Sequence, residues 1–371
     1  MNWFIFALFI ISIGIFLITK YYCLKKTLVI EQFEEIETEN NLGPTEKLFK
    51  YHGIKLNYLN ANQASKLVVK DGEYLQGMNQ ANLSARGCDS IDDLYNKYKN
   101  AFDDITEEEK LTIDKFTLKL VSDLQNKNSN KETNTYYNYV KKWLNTINIV
   151  KAKQWLESGM PHTLDTTIIM DADWFVKPRK TTLLHEITHI HQRQYPLDFE
   201  DLYPLLGYYY NPLDIKGLES IYPLNRNNPD GMNKYWLWHN NTNTNTTKTY
   251  WWIGAIFNTA NPNSLGDVNM MALKLERDPS DNNIFYYIKQ NPTKLSNLKE
   301  FVEYFGENPN NYHPNEMTAK FSEWFLVENT FTKNINKFNN NNNNNDEYNK
   351  YEGYKIYKKY FDNMLNKYYS N

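Results

Sequence analysis

The chain has 371 residues, enough for one large domain or two modest ones with a sizeable core. Its aromatic share of 15%, carried largely by 29 Tyr and 19 Phe, excludes global disorder. A net charge of −3 and a pI near 6.2 leave no basic excess to displace counterions, which excludes nucleic acid as the main partner.

The first element is apolar and uncharged from Trp3 to Thr19, a run that just reaches the ~17-residue lower limit for spanning a hydrocarbon core. A cleaved signal peptide needs a positive start and a small-residue cleavage site, and neither is present. No Lys or Arg precedes the run, whereas Lys20, Lys25 and Lys26 follow it, which predicts a single-pass anchor with the body on the cytosolic side. Tyr21 and Tyr22 suit the interfacial belt, and the acidic stretch Glu31 to Glu39 reads as solvated linker. Cys23 and Cys88 are the whole cysteine complement. Two thiols make neither a disulfide framework nor a thiolate metal site, so a transition metal here must use His and carboxylates.

Further along, Ser90 caps one predicted helix and Glu107–Glu109 opens a second, with Leu111, Phe116, Leu118, Leu120 and Val121 as its apolar positions. After a polar stretch, Tyr136 to Leu156 is read as helical. Asp165 to Val176 is β-rich and stops before Pro178, which predicts a strand whose edge an extended peptide can pair with. Tyr235 to Leu275 is again β-leaning, interrupted by an Asn/Thr loop whose two glycosylation sequons are chance matches. Leu295 to Phe305, Asn315 to Val327 and Tyr348 to Tyr369 read as helices, and Asn339 to Asn345 as a low-complexity hinge. The fold class is α+β. The chain divides into an anchor (1–22), a juxtamembrane linker (23–75), a catalytic domain (76–335) and the Asn run with a C-terminal helix (336–371).

The chemistry concentrates in His185-Glu186-Ile187-Thr188-His189, inside a run from Thr181 to Arg193 that neither Pro nor Gly interrupts. Residues four apart share a helix face, so the two imidazoles can grip one zinc ion at about 2.0–2.1 Å each. Glu186 is then placed as general base on a water the metal activates. His191 reads as surface or as a supporting group. His162 approaches the cleft or is a structural histidine at a turn. Arg226 and Asp230, in the turn Asn225 to Gly231, can fall near the cleft, and Tyr222, Tyr312 and His313 are candidates to stabilise an oxyanion.

This motif resembles that of the zincin metallopeptidases. Metzincins carry a third His ten residues after the first, behind a Gly. Here those slots hold Tyr195 and Gln192, so that branch is excluded. Asn315-Glu316-Met317-Thr318-Ala319 resembles the second metal-binding helix of gluzincins, which implies Glu316 as third ligand. Lys320 stands where that pattern often has Asp. Glu323, two turns on, is the other carboxylate that can serve, as ligand or as support. The chain also looks like predicted metallopeptidases of large cytoplasmic DNA viruses, which implies a body facing the cytosol or virion interior.

The resulting expectation is a membrane-anchored, zinc-dependent peptidase with a zincin-like domain, ligands His185, His189 and Glu316, base Glu186, Zn2+ as cofactor and a peptide or protein as substrate. Two rivals stand beside it: an inactive membrane-anchored structural or binding protein that keeps the fold, and a hydrolase of non-peptide amides.

Overall fold

The computed structural model describes residues 42–70, 72–125, 146–210, 215–216, 218, 221–232, 234–241, 249–277, 285–287, 292–307, 312–335 and 348–369. The segment read as a membrane anchor lies outside them, as do Cys23, the sequons' threonines and the Asn hinge. No helix among the described residues is long and apolar enough to cross a membrane.

Short segments, β-branched in the two central strands β3 and β5, build the first sheet: β1 (Lys55–Tyr58), β2 (Phe102–Asp103), β3 (Thr146–Ala152), β4 (His162–Leu164) and β5 (Thr167–Asp171). The order is β1-β3-β5-β4, with β2 on the far end of β3. β1, β3 and β5 are parallel, while β4 returns antiparallel along the edge. Side chains alternate across it. Ile147, Ile149, Ile168 and Met170 join one core, and Val150, Ala152 and Ile169 join the other.

Two expectations change here. Thr146–Ala152 is a strand and not part of a helix, because its β-branched residues pair with partners far away in sequence; residues 136–145 lie outside the described part. The strand expected up to Val176 ends at Asp171, whose Oδ1 accepts the Trp174 N–H at 3.1 Å and starts a short helix. The sheet also reaches back into the stretch read as linker, since Pro44–His52 is a helix and β1 pairs with β3.

Apart from two single-turn helices at Ala61–Ser65 and Glu73–Gln76, the helices up to the motif are α1 (Pro44–His52), α2 (Gln80–Ala85), α3 (Ile91–Lys99), α4 (Glu107–Gln125), α5 (Ala172–Val176) and α6 (Lys180–Gln194). The Asp93 N–H donates to Ser90 Oγ, so the cap on α3 is as expected. A second sheet follows, with β6 (Tyr208–Tyr210), β7 (Ile215–Lys216), β8 (Trp236–Trp238), β9 (Tyr250–Phe257), β10 (Val268–Arg277), β11 (Phe285–Tyr287) and β12 (Thr293–Lys294). Its order is β6-β8-β9-β10-β11-β7, with β12 on β10. Gly207 feeds β6 at φ +86, where a Cβ would lie 2.2 Å from the His239 carbonyl oxygen. Trp238 joins this sheet to α7 (Lys299–Phe305) through edge contact with Phe301, ring centroids 5.0 Å apart.

Two long helices close the fold, α8 (Pro314–Ile335) and α9 (Glu352–Tyr369). α8 lies along α6. α9 packs on α8 and on the segment after α6: Tyr357 sits on Phe321 of α8 at 5.6 Å and hydrogen-bonds Ser322, and Phe361 sits on Phe199 at 5.8 Å. The architecture is α+β, as expected.

Candidate metal centre

α6 is helical because thirteen consecutive residues without Pro or Gly place Leu183, Leu184 and Ile190 on one buried stripe. The four-residue spacing then sets the rings of His185 and His189 edge to face, centroids 4.8 Å apart. Glu186 and His189 are buried, and His185 is partly open to the cleft.

The third group comes from α8. Pro314 opens this helix, and His313 fixes its start: Nδ1 accepts the Asn315 N–H at 3.1 Å and Nε2 donates to the Lys234 carbonyl at 3.2 Å. Glu316 in the first turn brings Oε2 to 3.2 Å from His185 Nε2 and 3.7 Å from His189 Nε2. A tetrahedral site with ligand bonds of about 2.0–2.1 Å separates its donors by about 3.3–3.5 Å. One donor from each of the three residues lies within 4.8 Å of the others, so the set fits a zinc ion with little movement. The Nε2 of His189 is buried and has no hydrogen-bond partner, as a bare donor awaiting a cation would be. Glu186, His189 and Asp230 also cluster within 4.8 Å, but Asp230 Oδ1 is already engaged by the N–H and hydroxyl of Thr163.

Outer partners hold each donor. His189 Nδ1 meets Gln192 Oε1 at 2.8 Å, and the Gln192 amide nitrogen donates to the Asn315 carbonyl and to Thr318 Oγ1. Asn228 Nδ2 donates to Glu316 Oε1 at 2.7 Å. Glu323 Oε2 stands 4.0 Å from His185 Nδ1, on the ring side away from Glu316, and Lys320 binds both of its oxygens. Of the two carboxylates left open by the sequence, Glu316 therefore joins the donor set and Glu323 flanks it.

The electrostatics favour a cation. Burial by itself would lower the His189 pKa, but the carboxylates of Asp230, Glu316 and Glu186 raise it to about 10. Burial would raise the Glu316 carboxyl, yet the imidazoles of His189 and His185 hold it well below the usual carboxylate range. Glu186 goes the other way: burial first, then the Asp230 charge, push its carboxyl well above the usual range. Its Oε2 is buried and has no partner.

The donors open onto a cavity of roughly 390 Å³ whose walls include His162, Arg179, Glu186, Arg226, Asp230 and Tyr312. Arg226, Asp230 and His162 thus reach the cleft. Of the oxyanion candidates, Tyr312 lines it with a phenol that burial pushes up to about 12, Tyr222 packs against Tyr235 and Trp252 elsewhere, and both His313 nitrogens are used by the backbone. His191 is neither surface nor part of the centre: it is buried, bound to Asp198 Oδ2 at 2.8 Å and packed on Phe199.

The strand edge beside the cleft is not open as expected. β5 is interior, and the edge belongs to β4. The Thr163 N–H points outward to Asp230 Oδ1 at 3.0 Å, and the Thr163 carbonyl accepts Arg193 Nη2 at 3.2 Å. Sequence reasoning missed the roles of Gln192, Asn228, Thr163 and Arg193: Asn228, Thr163 and Arg193 act across 30 residues or more, and Gln192, though three residues from His189, is oriented by Asn315 and Thr318 far downstream.

No family model matches the chain, and no curated protein or solved structure matches it.

Proposed function

We propose that this chain is a zinc-dependent peptidase in which His185, His189 and Glu316 hold the metal and Glu186 is the general base. One observation carries the reading most: a carboxylate 131 residues downstream meets the two motif imidazoles on their Nε2 side, next to a buried, unpartnered glutamate. The zincin fold and the membrane anchor with a cytosol- or virion-facing body belong to the same proposal.

Zinc in such a site polarises a carbonyl oxygen and brings the pKa of a water towards neutrality. Glu186, desolvated and crowded by Asp230, has a high affinity for a proton. It takes that proton from the attacking water and passes it to the departing amine nitrogen. Gln192 keeps the His189 ring turned with Nε2 towards Glu316. Tyr312 stays protonated, and its O–H donates to the negative charge that grows on the substrate oxygen.

The test is zinc content and peptide hydrolysis of the purified chain. Near one zinc per chain is expected, with Glu186→Gln keeping the metal and losing roughly 10²–10⁴ of the rate. Unchanged hydrolysis in Glu186→Gln, or full zinc content after Glu316→Ala and His189→Ala together, overturns the reading.

A further inference from the structure

A cleft that binds an extended peptide commonly adds it as a strand to an exposed sheet edge, through backbone hydrogen bonds. Here that ladder is closed. In an antiparallel pair only alternate residues direct N–H and C=O outward. On β4 the outward residue is Thr163, and Asp230 and Arg193 occupy both of its groups. The neighbouring outward positions are Pro161, which has no N–H, and Asp165, which leaves the strand at φ +50. Recognition by main-chain pairing has no foothold along this wall.

What the wall offers instead is charge. Arg226 lines the cavity half-buried, its guanidinium 6.0 Å from the Tyr312 ring centre. Its Nη1 donates to the Leu265 carbonyl at 3.3 Å, and Nη2 approaches Tyr312 O–H at 3.5 Å. Both partners are neutral oxygens. Among the described residues no carboxylate lies within 4.0 Å of Arg226, whereas Lys320 in the same cavity is paired with Glu323. A planar fork with five donors, two of them fixed on neutral oxygens, is preorganised for a carboxylate. The cavity of roughly 390 Å³ is at the small end of ligand sites, which run from about 300 to 1,000 Å³.

We propose that Arg226 determines specificity by pairing with a carboxylate of the substrate, so that the cleft takes short peptides anchored by charge and not long chains anchored by their backbone. The carboxylate is either a free C-terminus or an acidic side chain. The proposal rests on the peptidase reading for the identity of the cleft, and binding tests it without turnover.

The test uses the full chain carrying Glu186→Gln, loaded with zinc, and titration calorimetry. Four probes are compared: acetyl-tetraalanine as free acid and as amide, and acetyl-Ala-Glu-Ala-Ala amide against its Gln counterpart. A preference of about tenfold or more for at least one charged probe over its neutral partner is expected, the size of a charge-assisted hydrogen bond. The first pair reports a C-terminal anchor and the second a side-chain anchor. Adding Arg226→Gln must abolish that preference while zinc content stays the same, since direct capture of the carboxylate by the metal would survive this change. If Gln at 226 prevents cooperative folding, Arg226→Lys replaces it and must lower the preference at least about threefold, because an ammonium cannot reproduce the fork. Equal binding of all four probes overturns the proposal, and so does a preference that outlives the substitution. A wrong peptidase reading shows up separately, as an unsubstituted chain that binds with the preference and hydrolyses nothing.

Discussion

The Nδ1 of His189 lies 2.8 Å from Oε1 of Gln192, three residues further along the same helix. The Gln192 amide has only one orientation open to it, because its nitrogen must face the Asn315 carbonyl, which can only accept. The oxygen therefore faces His189, Nδ1 carries a proton, and Nε2 is the nitrogen turned towards Glu316. Gln192→Met keeps the length and apolar bulk and removes this constraint. Zinc affinity, measured by competition with a chromogenic chelator, is expected to fall about 10–100-fold with the fold retained. Unchanged affinity means that Gln192 does not set the tautomer.

Removing the metal should be felt by the whole domain. Asp230, Glu186 and Glu316 crowd around His189, and a cation relieves their repulsion. Free zinc at a hundredfold excess over its dissociation constant stabilises the fold by about 2.7 kcal/mol. Scanning calorimetry should show a lower melting temperature in chelator and full recovery with zinc. A melting temperature indifferent to zinc contradicts the assignment of the donors.

At the edge of the same cavity, which Glu157 helps to line, Arg86 and Glu157 form a buried ion pair, Nη2 to Oε2 2.7 Å, with Tyr74 and Tyr98 beside it. Burial would raise the Glu157 carboxyl, but the Arg86 charge and hydrogen bonds lower it from 4.5 to about 2. A depressed folded pKa contributes stability that is complete above the unfolded value and lost as pH falls from there through about 2. That separation corresponds to about 3 kcal/mol. Urea titrations between pH 6 and 2 should show this loss in the native chain and a smaller one in Glu157→Gln. Arg86→Met strands the carboxylate and should cost roughly 3–5 kcal/mol at neutral pH, with much of it regained in Arg86→Met/Glu157→Leu.

Gly207 tests the end of the β6–β8 pair in the second sheet. Any side chain there adopts φ +86, and its Cβ overlaps a backbone oxygen that no rotamer can move. Gly207→Ala should cost at least about 2 kcal/mol in urea unfolding, more than the left-handed conformation alone demands. A neutral result means that the contact between Gly207 and the His239 carbonyl opens without penalty.

Local chemistry was readable in advance where its cause was local. Ser90 capping, the uninterrupted helix around His185 and the first-turn position of Glu316 all follow from residues within a turn or two of one another. Thr146–Ala152 was read as helix because its pairing lies elsewhere, with Lys55–Tyr58 and Thr167–Asp171 on either side. His191 reads as surface or supporting group because the sequence does not announce Asp198 and Phe199 folding back over it. The closed edge at Thr163 depends on Asp230, 67 residues away, and on Arg193. Such contacts are properties of the topology, and no periodicity encodes them.

The packing of α9 on α8 and Phe199 has a consequence for how the protein is made. The two histidines leave the ribosome well ahead of Glu316, 131 residues later. At about 5–20 residues per second that interval is roughly 7 to 26 seconds. Tyr357 and Phe361, which pack the helices into place, follow later still. A nascent polypeptide therefore displays the paired imidazoles before the Glu316 carboxylate that faces them, and before the rings that pack on Phe321 and Phe199.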